Sequence, residues 1–160
     1  MSILEKQVDA LMRLCVAEKE DDRARVREEV RRMLETRKAS RNIDPEYLIR
    51  KLLLELGAPD HLSGHPIVIQ AVLLVLRDRT YINSITLSLY PHLALMFDST
   101  PPRVERAIRH LIEVTWTRGD LAVLNRYFGN SVSASRGKPT NGEFIARMTN
   151  IVRQELQEAA

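Results

Sequence analysis

The chain holds one cysteine, Cys15, in 160 residues. A single thiol excludes an internal disulfide and any cluster of thiolate metal ligands. A reduced, cytoplasmic setting is the simple expectation. No apolar run approaches the roughly 20 residues that cross a bilayer, so no membrane partner is expected. Acidic residues and arginines enter within the first turns, as at Glu5, Asp9 and Arg13. They break the apolar stretch that a secretory leader requires. No alternation of polar and apolar residues marks a strand anywhere, so the expected fold class is all-α.

Catalytic patterns are also missing. Gly137-Lys138-Pro139-Thr140 stands before a helix, but a phosphate loop needs Gly, four residues and Gly-Lys-Ser/Thr after a strand. Here Pro139 separates the lysine from the threonine and no strand precedes. Ser131, Ser133 and Ser135 have no partner histidine at a recognisable spacing. No pair of carboxylates sits in apolar surroundings suited to acid–base work. His61 and His65 are four apart, but Gly64 lies between them and no carboxylate or cysteine pattern is near. No enzyme activity, metal or cofactor is therefore expected. Excess charge of one sign is small as well, with a net charge of +3. That is compatible with nucleic acid without demanding it, because affinity depends on where the cations cluster.

They cluster in Thr100–Trp116. Thr100 is expected to cap the first free N–H groups of a helix, with Pro101 at the position where a missing N–H costs nothing. Val104, Ala107, Ile108, Leu111, Ile112 and Thr115 then fall on one arc, and Arg103, Arg106, Arg109 and His110 on the other. The preceding Ser84–Phe97 reads as a second helix, with only Asp98 and Ser99 before Thr100. A helix, a tight turn and a helix with arginines near its start is the layout of a helix-turn-helix reader. Three arginines on a helix are also compatible with a merely solvated face.

Other helices flank this pair. Asp44-Pro45-Glu46 starts one that carries Leu48, Leu52, Leu53 and Leu56 and ends at Gly57. Gly64–Thr80 is apolar almost all round and should be central to the core. Gly119 suits a left-handed helix end and Asp120 a new N-cap. Leu121, Leu124, Tyr127 and Phe128 follow on a short helix ended by Gly129. Asn130–Thr140 is a polar loop. The last helix starts near Thr140 or Asn141, with Glu143 in its first turn and Phe144, Ile145, Met148, Ile151, Val152 and Leu156 on its buried side.

The stretch SITLSLYPHLALMFDSTPPRVERAIRHLIEVTWTRG, with GKPTNGEFIA further on, resembles the C-terminal effector domain of the sporulation-initiation response regulator of endospore-forming Firmicutes, the stage-zero-A type. The similarity covers roughly Asp44 to Leu156 and is strongest over Arg103–Glu113 and Lys138–Ala146. It implies a transcription regulator that reads double-stranded DNA in the major groove with the helix at about 101–116. Arg103 and Arg106 match the base-reading arginines and Glu105 the acidic residue beside them. Arg109 and His110 are expected to contact phosphate or orient neighbours, and Lys138 is a weaker phosphate candidate. The resemblance further implies a TGTCGAA-type box bound by tandem head-to-tail domains. It also implies a contact with the housekeeping sigma factor of RNA polymerase through the region matching Gly119–Val132 and the last helix. Pro101-Pro102 departs from the small or hydroxyl residues usual in the family, which bears on the target sequence.

Residues 1–41 lie outside this resemblance. Ile3, Leu4, Val8, Leu11 and Cys15 recur at helical spacing, and Val26, Val30 and Met33 do so again. Two helices are expected, about Ile3–Ala17 and Arg23–Lys38, then a polar linker, Thr36–Asn42. This charged extension is either a helical hairpin or a dimerisation seam, and residues 42–160 form the effector domain. Nothing before Asp44 is long enough for a receiver domain, so a stand-alone effector, controlled without phosphorylation or through these helices, is expected. The competing reading is a protein-interaction module that has lost specific DNA binding and sequesters a regulatory partner.

Overall fold

The computed structural model describes residues 6, 9, 12–13, 20–39, 43–129 and 137–159. Every regular element among them is helical. The chain divides into two compact units, residues 1–43 with 159–160, and residues 44–158. In the first, helix α1 spans Glu20–Ala39, starting three residues before the expected Arg23. Val26 is buried and Val30 and Met33 are half-buried, while Arg25 and Arg27 are exposed. The expected linker therefore begins inside α1, since Thr36–Ala39 are helical. The expected helix Ile3–Ala17 falls almost wholly outside the described residues.

In the second unit, α2 spans Pro45–Glu55. Asp44 caps it by accepting from the Glu46 N–H at 3.0 Å. Gly57 ends it with φ +74°, and the Ala58 N–H returns to the Leu53 carbonyl at 2.9 Å. This is a Schellman closure, which glycine adopts without a Cβ penalty. Helix α3, Gly64–Arg77, is the central element, with Ile67, Val68, Ile69, Ala71, Val72, Leu74 and Val75 buried. It stops three residues short of Thr80. Asp78 is extended there, and its carboxylate accepts from the Thr80 N–H at 2.9 Å and hydroxyl at 2.7 Å. That local bonding competes with continued helix and starts the four-residue α4, Thr80–Asn83.

The expected single helix from Ser84 to Phe97 is two pieces, a π-turn at Ile85–Leu89 and then α5, Tyr90–Met96. Pro91 accounts for the change. Its ring would clash with a carbonyl four residues back, and it has no N–H to offer that carbonyl. A turn one residue wider relieves both, with the Tyr90 N–H bonding Ile85 five residues earlier. Next come α6, Pro101–Arg118, then α7, Leu121–Phe128, and α8, Asn141–Ala159. Helix α6 packs mainly on α3 and α5. Trp116, Phe128 and Phe144 join α6, α7 and α8, with Phe128 and Phe144 stacked 5.3 Å apart and Trp116 edge-on to both.

Candidate nucleic-acid interface

The turn between α5 and α6 is built by its backbone. Asp98 is left-handed, with φ +48°, and the Ser99 N–H bonds the Ala94 carbonyl at 2.8 Å. This again is the Schellman pattern, here with aspartate in the place glycine usually takes. Thr100 is extended and its carbonyl accepts from Val104 at 3.0 Å. The expected side-chain cap at Thr100 is not formed. A capping oxygen serves the second or third helical N–H; the second helical residue is Pro102, which has none, so only the Arg103 N–H remains for it.

The helix holds without that cap because its inner face is well buried. Val104, Ile108, Leu111, Ile112 and Thr115 are all buried. Each large apolar side chain so buried stabilises by about 1.5–3 kcal/mol, against about 1 kcal/mol for a typical cap. Thr115 is satisfied by donating to the Leu111 carbonyl at 2.7 Å. Helix α3 approaches closely because residue 64 is glycine, with Ala107 opposite. At the far end, the expected left-handed Gly119 is instead extended, with φ −70° and ψ 160°. A side chain is excluded there by proximity, since a Cβ would lie 2.6 Å from the Thr115 carbonyl oxygen and 2.7 Å from that of Leu56. Asp120 then caps α7 through the Ala122 N–H at 2.8 Å.

The outer face of α6 carries the expected cluster. Arg103, Arg106, Arg109 and His110 are all exposed. Among the described residues, no carboxylate pairs with Arg103 or Arg106. Arg109 differs, for its guanidinium donates to the Glu105 carboxylate one turn earlier. Lys138 lies on the loop before α8 and donates to Glu113 at 2.9 Å. That bond, reinforced by the lysine's charge, holds the Glu113 carboxyl below its ordinary value.

A groove of about 600 Å3 runs between the π-turn, α6 and the start of α8. Tyr90, Glu105, Arg109, Glu113, Lys138 and Asn141 line it. Two of these carry contacts that the sequence did not single out. Asn141 donates to the Tyr90 hydroxyl and to the Glu105 main-chain carbonyl, both at 3.0 Å. Residue type alone suggests a cap for Asn141. The cap is Thr140, which exchanges hydrogen bonds with Glu143 at 2.8 and 3.3 Å in a capping box. Tyr90 is buried, and that burial raises its hydroxyl above the ordinary value, against the hydrogen bond from Asn141.

The arrangement offers two guanidinium groups, unpaired among the described residues, on the first turns of an anchored helix, with the Glu105–Arg109 pair beside them and further cations at the flank. Guanidinium forks match guanine edges and phosphates. His61 is exposed and His65 buried, and no metal-binding cluster occurs among the described residues. No described helix is long and apolar enough to cross a membrane. Residues 49–152 match the family model described as "Sporulation initiation factor Spo0A C terminal". The matched region takes in every helix from α3 to α7 and the α8 start that braces α6, and the chain belongs to this family of helical DNA-binding regulatory domains.

Proposed function

We propose that the protein is a sequence-specific transcription regulator of the sporulation-initiation type, which enters the major groove of double-stranded DNA with the N-terminal half of α6. The observation that carries the reading is the pair Arg103 and Arg106, exposed and, among the described residues, unpaired, one turn apart on a helix whose opposite face is locked into the core. In this reading each arginine contacts guanine O6 and N7. Glu105 accepts from a cytosine amino group, and its pairing with Arg109 holds its carboxylate in place. His110 and Lys138 lie on the phosphate side.

The family resemblance supports tandem binding and a contact with the sigma factor of RNA polymerase. The surface we assign to that contact is α7, where Leu121 is 69% exposed. Helix α1, Glu20–Ala39, lies outside the residues matched by the family model, and we assign it to assembly. The decisive experiment is selection from random duplexes, followed by affinity measurement for wild type and Arg106→Ala. A recovered consensus, bound less tightly by the variant, supports the reading. A pool with no consensus, beside in-cell partners retained equally by both proteins, overturns it in favour of the interaction module.

A further inference from the structure

We infer that Asn141 is a positioning residue for DNA reading, acting through the main chain of α6 and touching no base. The inference rests on the DNA-reading function proposed above. Asn141 is the first residue of α8, far in sequence from the arginines. Its amide nitrogen has two hydrogens, and both are used. One goes to the Tyr90 hydroxyl on α5 and the other to the carbonyl of Glu105 on α6, each at 3.0 Å. One side chain thus joins the two helices of the reading motif to a third element.

The chemistry fixes which way the amide faces. A main-chain carbonyl only accepts, so the nitrogen must point at Glu105. That carbonyl sits between Arg103 and Arg106 along the helix. The bond therefore acts on the turn that carries both arginines. Loss of it frees the N-terminal half of α6, which has no side-chain cap at Thr100 and no N–H at Pro101 or Pro102. Two turns further on, Lys138 grips Glu113. The end of the loop and the start of α8 thereby hold α6 at two points, and of these the Asn141 point lies beside the reading residues. Gly142 adds to the fit, since a Cβ there would meet the Ile85 Cδ1 at 2.8 Å.

Asn141→Asp keeps the shape and replaces the donor by an acceptor. An acidic residue in a first helical turn is favoured by the helix dipole, so the fold is expected to hold. Amide hydrogen exchange of the free full-length variant should quicken over Val104–Arg109 and not over Leu111–Arg118. Preference for the selected duplex over a scrambled one should fall by about fivefold to tenfold, the scale of one lost hydrogen bond. The salt dependence should keep its slope, because no phosphate contact is removed. Tyr90→Phe, which leaves the Glu105 bond in place, should lose less preference. Unchanged exchange over Val104–Arg109 overturns the inference, as does full preference retained despite faster exchange. A wild type that prefers no duplex would count against the DNA reading itself, and the exchange measurement would still decide whether Asn141 holds α6.

Discussion

Gly64 and Ala107 touch through the main chain. A Cβ on Gly64 would stand 2.3 Å from the Ala107 carbonyl oxygen and 2.9 Å from the Leu111 Cβ. Backbone cannot give way as a flexible side chain can. The contact fixes how deeply the central helix α3 sits against α6, and with it the plane from which Arg103 and Arg106 project. Gly64→Ala should destabilise the protein by about 1–3 kcal/mol, the usual cost of overpacking. Urea unfolding of variant and wild type measures this. A midpoint unchanged within error would mean that α3 and α6 separate easily.

Arg106→Ala should behave in the opposite way. Its side chain is exposed and unpaired among the described residues, so its removal should leave the thermal midpoint where it was. It should cost about 1–3 kcal/mol of specific DNA binding. Anisotropy titration beside a thermal melt separates the two effects. A lower midpoint with unchanged affinity would show a structural arginine.

The pH dependence of stability should carry a histidine signature. Burial holds the His65 imidazole below its ordinary value, the Arg50 charge adds to this, and Asp60 opposes it. The unfolded chain takes up this proton near pH 6.5, the ordinary histidine value, and the folded chain resists. The stabilisation is therefore complete above that pH and is lost as pH falls through the lowered folded value. Thermal midpoints of wild type should drop more steeply below pH 6.5 than those of His65→Gln. Parallel curves would contradict the assignment.

The Lys138–Glu113 pair makes a separate prediction. The carboxyl of Glu113 is lowered first by the Lys138 hydrogen bond and then by its charge, with smaller help from His110 and Arg109. The pair is thus intact above the ordinary glutamate range and lost as pH falls through the lowered folded value. In Lys138→Met, the side-chain carboxyl resonance of Glu113 should titrate at a higher pH than in wild type. Identical titrations would mean that the pair does not persist in solution.

Much of this arrangement was legible in the sequence where one local rule acted alone. Asp44 and Asp120 read as caps, and both accept from the helix starts they precede. The two arcs of α6 follow from the 3.6-residue period, and buried and exposed residues fall where that period puts them. Legibility failed where two rules met. Thr100 is a good capping residue, but Pro102 removes one of the two N–H groups that a cap would serve. Gly119 suits a left-handed end, yet its lack of a side chain is used for close approach to Leu56, and Asp98 takes the left-handed position at the reading turn. Pro91 lies inside the single helix expected over Ser84–Phe97, and its effect on the turn before it is visible only as the π-turn. The Tyr90–Asn141–Glu105 contact joins residues 36 and 51 positions apart. No local period or cap rule connects such distant positions.

Specific reading of DNA by α6 is addressed most directly by one titration. Fluorescence anisotropy would compare a duplex carrying a TGTCGAA-type box with a scrambled duplex of equal length, each over a salt series. Tighter binding to the box is expected at every salt concentration, with both affinities falling as salt rises through displaced phosphate contacts. Equal affinity for the two duplexes across the series, with no duplex preferred in selection from a random pool, would contradict specific reading by α6.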